Sequence, residues 1–521
     1  MTPPAKRLLV LGLDGFDPEI GRSLMLAGKL PHLARLHGAA HRFHIDPGME
    51  KYTGLVWEQF CSAFTPEQSS RWSANVIDTQ RYLTYQPNTR LMPFTERLKA
   101  RTLVFDVPHF DLADSAGARG LVAWGSHDPG VPQGSRPEDL CREVADRFGA
   151  YPATQFIYGH VWHNPQQAEA MANAMVAAVE LRSDVTRWLF ADRFPDWDLA
   201  ITVISEYHSA TEALWHGWEE AHPLHSKPSA GPAREGMLGV YQAADRMLGK
   251  MLDEFPDAAI LAFSPHGMGR NLADVPAMLL LPELIYRHCT GKIGFNADED
   301  WPLDGTGGPN LVPTEDWSMA VNKRIHVNAR RVGWFSGRSQ KLPENSLDWM
   351  PAARYRAAWP DMRAYATPAY YDGRVRINLK GRERRGVVPL EGYQAVVNEV
   401  ANLIRSCKDP ISGAPIDVDV DCRPGDPLKR NPSDADVIVR FNKDYYAFEC
   451  EGLGLVGPAP CRRPGGHTGG PGIGYYCPGR TDTGTDLGSF RATDLSGAVS
   501  ALIDIDPTAC ALGRALLRVA G

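Results

Sequence analysis

Acidic residues and histidines recur in this chain where a short apolar run ends in a polar or glycine-rich loop. Asp14 follows Leu8–Leu13 in GLDGFD, and His266 follows Ala259–Phe263 in SPHGMGRN. Glu206, His208, Glu212 and His216 follow Leu199–Ile204 in SEYHSATEALWH, and His467 lies in PGGHTGGPG. His208, Glu212 and His216 are spaced by four, so on a helix they share one face. Imidazole and carboxylate at that spacing suit a zinc-like or manganese-like ion. A solvated helix face beside Leu214, Trp215 and Trp218 has the same spacing. Glycines next to Asp14, His266 and His467 let the backbone come close to a ligand. Thr53, in YTGLVWEQF, fits either a helix N-cap or a nucleophile at a helix N-terminus, where the dipole favours an anion. Lys51, two residues earlier, could add a cation for substrate binding. Arg376 and Arg382, within a cluster of arginines, could recognise a phosphate or sulfate in bidentate fashion. Trp57 and Trp215 could wall the pocket or stack on a ring.

The elements that must position these groups are legible as short apolar runs. Leu8–Leu13, Leu103–Phe105, Leu199–Ile204, Ala259–Phe263 and Val437–Val439 read as buried strands, separated by helical patterns over Pro137–Phe148, Pro165–Phe190 and Glu235–Phe255. This alternation predicts a layered α/β core with a mostly parallel sheet, in which functional groups sit beyond the carboxyl ends of the strands. Residues 283–365, rich in Gly, Pro, Asn and Trp, read as an irregular insertion or cap around a core formed by 1–282 and 366–521. Structure is expected to return with a helix over Leu390–Ser406, and glycine-dense Gly465–Gly479 reads as a loop or set of turns.

The 521 residues are 43% hydrophobic and 22% charged, with a formal charge of −7, as expected of a globular enzyme rather than a nucleic-acid partner. No stretch approaches the ~20 apolar residues of a membrane span. The first apolar run is also shorter than the ~7–15 residues of a secretory signal. Nine cysteines without a CxxC pair point to a reduced, cytoplasmic protein.

Taken in order, DGFD, Thr53 with Trp57 four residues on, SxxHSATE, HGMG and the late GGH resemble the motif series of the type I phosphodiesterase/nucleotide pyrophosphatase family of the alkaline phosphatase superfamily. DGRVRINLKGRERRGVV at 372–388 resembles a segment of bacterial members. The resemblance implies a three-layer alkaline-phosphatase-like core and a metal-dependent hydrolase of phosphodiester, phosphomonoester or sulfate-like bonds, acting through a covalent Thr53 intermediate. It implies one ion at Asp14, Thr53 and His266 and another at His208, Glu212 and His467. The chain departs from the pattern at Pro265, where the family has Asp, and at His208 and Glu212, where it has Asp and His. The family's phosphate-binding Asn is also missing beside Thr53. These departures predict one firm site, most readily zinc with manganese or iron as alternatives, and a second site that is weak or absent unless Glu206 or a substrate oxygen completes it. The expected partner is a small anionic ester, with no nucleic acid or membrane, and self-assembly is left open. A transferase using the same Thr53 intermediate and a non-catalytic anion-binding descendant are the alternative functions.

Overall fold

The computed structural model describes residues 7–158, 164–297, 316–327, 342–343, 345–479, 484–506 and 510–520. Its centre is a nine-stranded sheet in the order Asp486–Arg491, His41–Asp46, Pro471–Cys477, Ala258–His266, Arg7–Leu13, Leu199–Ile204, Thr102–Phe105, Arg119–Val122, Gly134–Arg136. The five strands from Ala258–His266 to Arg119–Val122 are mutually parallel. Pro471–Cys477 is antiparallel to both its neighbours, and Gly134–Arg136 closes the far edge antiparallel.

Alternation along the first strand sends side chains to opposite faces. Leu9, Leu11 and Leu13 pack with helices Pro165–Arg187, Glu206–Trp218 and Ala230–Glu254. Leu8 and Val10 pack with Val56–Ser62, Leu495–Asp504 and Ala511–Ala520. Each such fully buried aliphatic side chain contributes roughly 1.5–3 kcal/mol. The result is three layers, helix on sheet on helix. The long Pro165–Arg187 helix starts where Asn164 caps it, accepting from Gln166 N and Gln167 N, with Pro165 in its first turn. Among the described residues, no helix is long and apolar enough to cross a membrane.

A second core surrounds a four-stranded antiparallel sheet in the order Ala364–Thr367, Gly373–Ile377, Val437–Phe441, Val418–Cys422. The Val437–Val439 run therefore belongs to this smaller sheet. Ile285, Trp317, Met350 and Trp359 from the 283–365 stretch are buried in the same core. Residues 298–315, 328–341 and 344 of that stretch lie outside the described residues.

The expected loop at Gly465–Gly479 is corrected by the structure. Gly465–Gly466 pairs with Gly269–Arg270, and Pro471–Cys477 is a full strand of the main sheet. The glycines are there because the neighbours leave no space. A Cβ at Gly474 would lie 2.1 Å from the Phe43 ring, and one at Gly472 would lie 2.0 Å from Ser264 O. Glycine density here reflects close packing inside a sheet.

Candidate metal centre

Asp14, His208, Glu212, His266 and His467 come together beyond the carboxyl ends of the parallel strands, joined by His127. The loop after Arg7–Leu13 turns at Gly15, whose φ of +75° favours glycine. A Cβ there would sit 2.4 Å from His208 Cα, so the missing side chain lets this loop press against helix Glu206–Trp218. Asp17 joins the first loop to the His266 loop. Its carboxylate caps helix Pro18–Leu26 and also accepts from Met268 N at 3.2 Å.

The histidine tautomers can be read from their partners, because a carbonyl oxygen only accepts. His127 Nδ1 donates to Ile157 O at 2.6 Å, His266 Nδ1 to Gly267 O at 3.0 Å and His467 Nδ1 to Lys51 O at 2.9 Å. His208 Nδ1 lies 3.2 Å from Asp14 Oδ2, while Asp14 Oδ1 accepts from Trp57 Nε1 at 2.9 Å. Each Nδ1 is thus committed to an acceptor, leaving Nε2 as the atom that could coordinate a metal. A histidine oriented in this way by an outer carboxylate or carbonyl is the usual arrangement around a metal. The rings are close: His127 stacks on His208 at 3.8 Å, and His467 lies 4.8 Å from His208 and 4.6 Å from His266.

Glu212 supplies the carboxylate. One oxygen pairs with Arg463, which also pairs with Asp274 at 3.0 Å. The other, Oε1, is buried, has no hydrogen-bond partner among the described residues, and lies 3.7 Å from His208 Nε2. His127, His208 and Glu212 offer ligand atoms that all lie within 4.8 Å of one another.

The charges follow from this packing. Burial lowers His127 and His266, each to about 4, and holds His467 well below the usual imidazole value. Burial would lower His208 as well, but Asp14 and Glu212 outweigh it and raise it to about 10. Burial would raise Glu212, yet Arg463, His127 and His208 together outweigh it and the carboxyl falls to about 2. His208 Nε2 and His467 Nε2 face each other at 2.9 Å. Two lone pairs would repel there, so His208 carries a proton in that gap when no cation does.

Thr53 lies on the segment that holds His467, two residues after the Lys51 carbonyl. Its Oγ1 accepts from Leu55 N at 3.2 Å, and its carbonyl accepts from Ala74 N at 2.8 Å. Helix Val56–Ser62 starts later, with Leu55 at its N-cap position, so Thr53 closes a turn ahead of the helix and is not its cap. Lys51 Nζ donates to Gly469 O at 2.9 Å, and burial lowers its pKa. Next to Thr53, Gly54 lies against Tyr371, which stacks on His467 at 3.8 Å.

Several expected residues are placed elsewhere. His216 is eight residues beyond His208, about 12 Å along a helix, and bonds Ser229 Oγ at 3.0 Å. Glu206 is locked to buried Arg182, at 2.9 Å, and to Tyr151. Trp57 braces Asp14 and packs on Phe60 and Phe263, so it supports the site from behind. Trp215 donates to Glu219 at 2.6 Å. Arg376 and Arg382 are buried in the second core, Arg376 against Glu383 and Arg382 against Glu383 and Asp436, so their guanidinium groups hold that core together.

Sequence reasoning missed His127, Arg463 and Tyr371. His127 follows the strand Arg119–Val122 in WGSHDPG, and the post-strand rule would have found it had that four-residue strand been recognised.

No known family profile and no curated protein matches the sequence. Among solved structures, the chain is similar to phosphonoacetate hydrolase from Sinorhizobium meliloti 1021 in complex with phosphonoformate. That match has 11% identity, covers 96% of each chain and has a TM-score of 0.46. It is also similar to murine ectonucleotide pyrophosphatase/phosphodiesterase 5 in complex with AMP, at 10% identity over 96% of this chain and 95% of that one, with a TM-score of 0.45.

Proposed function

We propose that this chain is a metal-dependent enzyme that cleaves a phosphoryl-type ester through Thr53. The observation that carries the reading is the set of four histidines whose Nδ1 atoms are all occupied by acceptors, leaving Nε2 available beside a Glu212 oxygen that has no hydrogen-bond partner among the described residues. That donor set fits a divalent cation, with His127, His208 and Glu212 holding it and His467 adjoining. When bound, such an ion supplies Lewis-acid stabilisation to the oxygens of an anionic substrate.

The chain's own groups prepare the rest. Asp14 fixes the His208 ring, and Trp57 fixes Asp14. The Lys51 carbonyl ties the Thr53 segment to His467, and Lys51 Nζ and Arg463 add positive charge. A threonine hydroxyl is a poor nucleophile unless its surroundings activate it. In the first half-reaction the Thr53 Oγ–phosphorus bond forms as the ester bond breaks, and the hydroxyl proton leaves on the departing alcohol. Water then cleaves the Thr53 ester, releasing the phosphoryl product and returning a proton to Oγ.

The test is to load the protein with zinc and assay chromogenic phosphomonoesters, phosphodiesters and sulfate esters, with Thr53→Ala beside the wild type. Turnover of one ester class and its loss in Thr53→Ala, with the fold retained, is expected. Turnover that survives Thr53→Ala refutes the nucleophile. A Thr53 adduct released by an added alcohol or amine, and not by water, would make the enzyme a transferase.

A further inference from the structure

Remote from the candidate metal centre, Cys407 and Cys450 occupy a position that fits a covalent cross-link. Cys407 follows the last turn of helix Tyr393–Ser406, and Cys450 ends the strand Phe448–Cys450. Between them Lys408 and Glu449 form an antiparallel bridge with both reciprocal bonds, Lys408 N to Glu449 O and Glu449 N to Lys408 O, each 2.8 Å. One step outward from such a pair, the facing residues are the non-hydrogen-bonded kind, with Cα atoms ~4.5 Å apart and side chains on one face. Those residues are Cys407 and Cys450. The separation falls within the ~4.4–6.8 Å that a disulfide spans. The Cys407 thiol donates to Leu403 O at 3.5 Å, and the two cysteines are 0% and 2% exposed. All nine cysteines are free thiols, and the one group among the described residues that could hold a metal contains no cysteine.

We propose that Cys407 and Cys450 are a dithiol pair that closes into a disulfide, clamping the end of helix Tyr393–Ser406 to the ribbon formed by Phe448–Cys450 and Gly454–Val456. The oxidant is a small organic disulfide. The Cys450 thiolate attacks one of its sulfurs and expels one thiolate. Cys407 then attacks the mixed disulfide at Cys450 and expels the second. Two cysteine thiols lose two protons and two electrons in all, and the small disulfide becomes two thiols. Access comes from the ribbon, where Glu449, Glu451, Gly452 and Gly454 are exposed, so local opening of a few bonds uncovers Cys450. Burial, and then the neighbouring thiol, hold the Cys407 thiol above its usual value, so closure in the native state is slow. The closed loop runs from 407 to 450 and takes in both Val418–Cys422 and Val437–Phe441, so it constrains much of the second core's unfolded chain.

The experiment equilibrates reduced full-length protein with excess oxidised glutathione, with and without a sub-denaturing concentration of urea. Free thiols are then capped, and the unreduced digest is read by mass spectrometry. A peptide pair linking Cys407 to Cys450 is expected, with two of the nine thiols lost per chain and a urea unfolding midpoint that rises on oxidation and returns on reduction. Cys407→Ser and Cys450→Ser should each abolish the link and the midpoint shift while leaving ester turnover unchanged. Absence of the link in both conditions, or linkage of either cysteine to a different residue, overturns the proposal.

Discussion

Replacing Arg182 by Met tests whether the site depends on a buried ion cluster behind it. Arg182, Asp106 and Glu206 are fully buried, with Arg182 Nη2 2.8 Å from Asp106 and 2.9 Å from Glu206. Glu206 begins the helix that carries His208 and Glu212. Asp106 accepts from Trp124 N, Gly125 N and Ser126 Oγ, at 2.7, 2.9 and 2.7 Å, and so shapes the turn that presents His127. One guanidinium therefore sets the two ligand-bearing segments relative to each other. Its loss leaves two buried carboxylates unpaired, which costs about 3–5 kcal/mol. For 521 residues the unfolding entropy is about 1.1 kcal/mol per kelvin, so the thermal midpoint should fall by about 3–5 °C. Zinc affinity, measured by chelator competition on the folded protein, should fall about tenfold or more as His127 drifts from His208 and Glu212. Arg182→Lys should recover part of both losses. A midpoint that falls while zinc affinity stays within about twofold would refute the coupling, because the triad would then be ordinary core. An unchanged midpoint would refute the energetic argument itself.

Gly15→Ala should abolish zinc binding or prevent folding, since its Cβ would lie 2.4 Å from His208 Cα at a φ of +75°; chelator competition and circular dichroism read the two outcomes. Zinc should raise the thermal midpoint by about 2–3 °C at ~100 times its dissociation constant, from a linkage energy of about 2.7 kcal/mol, whereas magnesium at the same concentration should leave it unmoved. A shift with magnesium alone would contradict a nitrogen-rich site. Burial would raise Asp436, but Arg382 bonds both its oxygens and holds it below the usual carboxylate value of 3.8. A depressed carboxylate stabilises the fold above its unfolded pKa, and the gain is lost as pH falls through the folded one. The stability gap between wild type and Asp436→Asn, about 1.5–3 kcal/mol near neutrality, should therefore be flat above about pH 5 and shrink below about pH 4 in urea titrations.

The sequence was most informative where a functional group follows a long apolar strand. Asp14 and His208 follow strands of seven and six residues, and His266 ends one of nine. His127 follows a strand of four residues that begins at exposed Arg119, too short for an apolar run to show. Spacing by four placed His208, Glu212 and His216 on one helix face, but it does not bound how far along the helix a single ion reaches, and His216 falls beyond it. The arginine cluster misled for a different reason. Arg376 and Arg382 find Glu383 close by in sequence, yet Asp436 lies more than fifty residues away, and only the fold shows that these charges neutralise one another. Glycine density at 465–479 suggested turns because glycine lowers strand propensity, whereas here close contact between strands outweighed propensity.

Pro265 and Arg463 bear on the same balance of charge. Proline at 265 brings no donor atom beside His266, and Arg463 takes one oxygen of Glu212 into its pair with Asp274. With both Asp14 oxygens engaged by His208 and Trp57, what remains at the cluster among the described residues is one carboxylate oxygen and the Nε2 atoms of His127, His208, His266 and His467. Oxygen-rich sites suit magnesium and calcium, while imidazole with a single carboxylate suits zinc. Without a cation, the 2.9 Å approach of His208 Nε2 to His467 Nε2 requires a bridging proton, held by His208 between Asp14 and Glu212. A positive charge at that point is therefore required by the packing, whether a proton or a metal ion supplies it. Thr53 sits on the same segment as the carbonyl that orients His467, so whatever fixes that charge also fixes the turn from which Thr53 would attack.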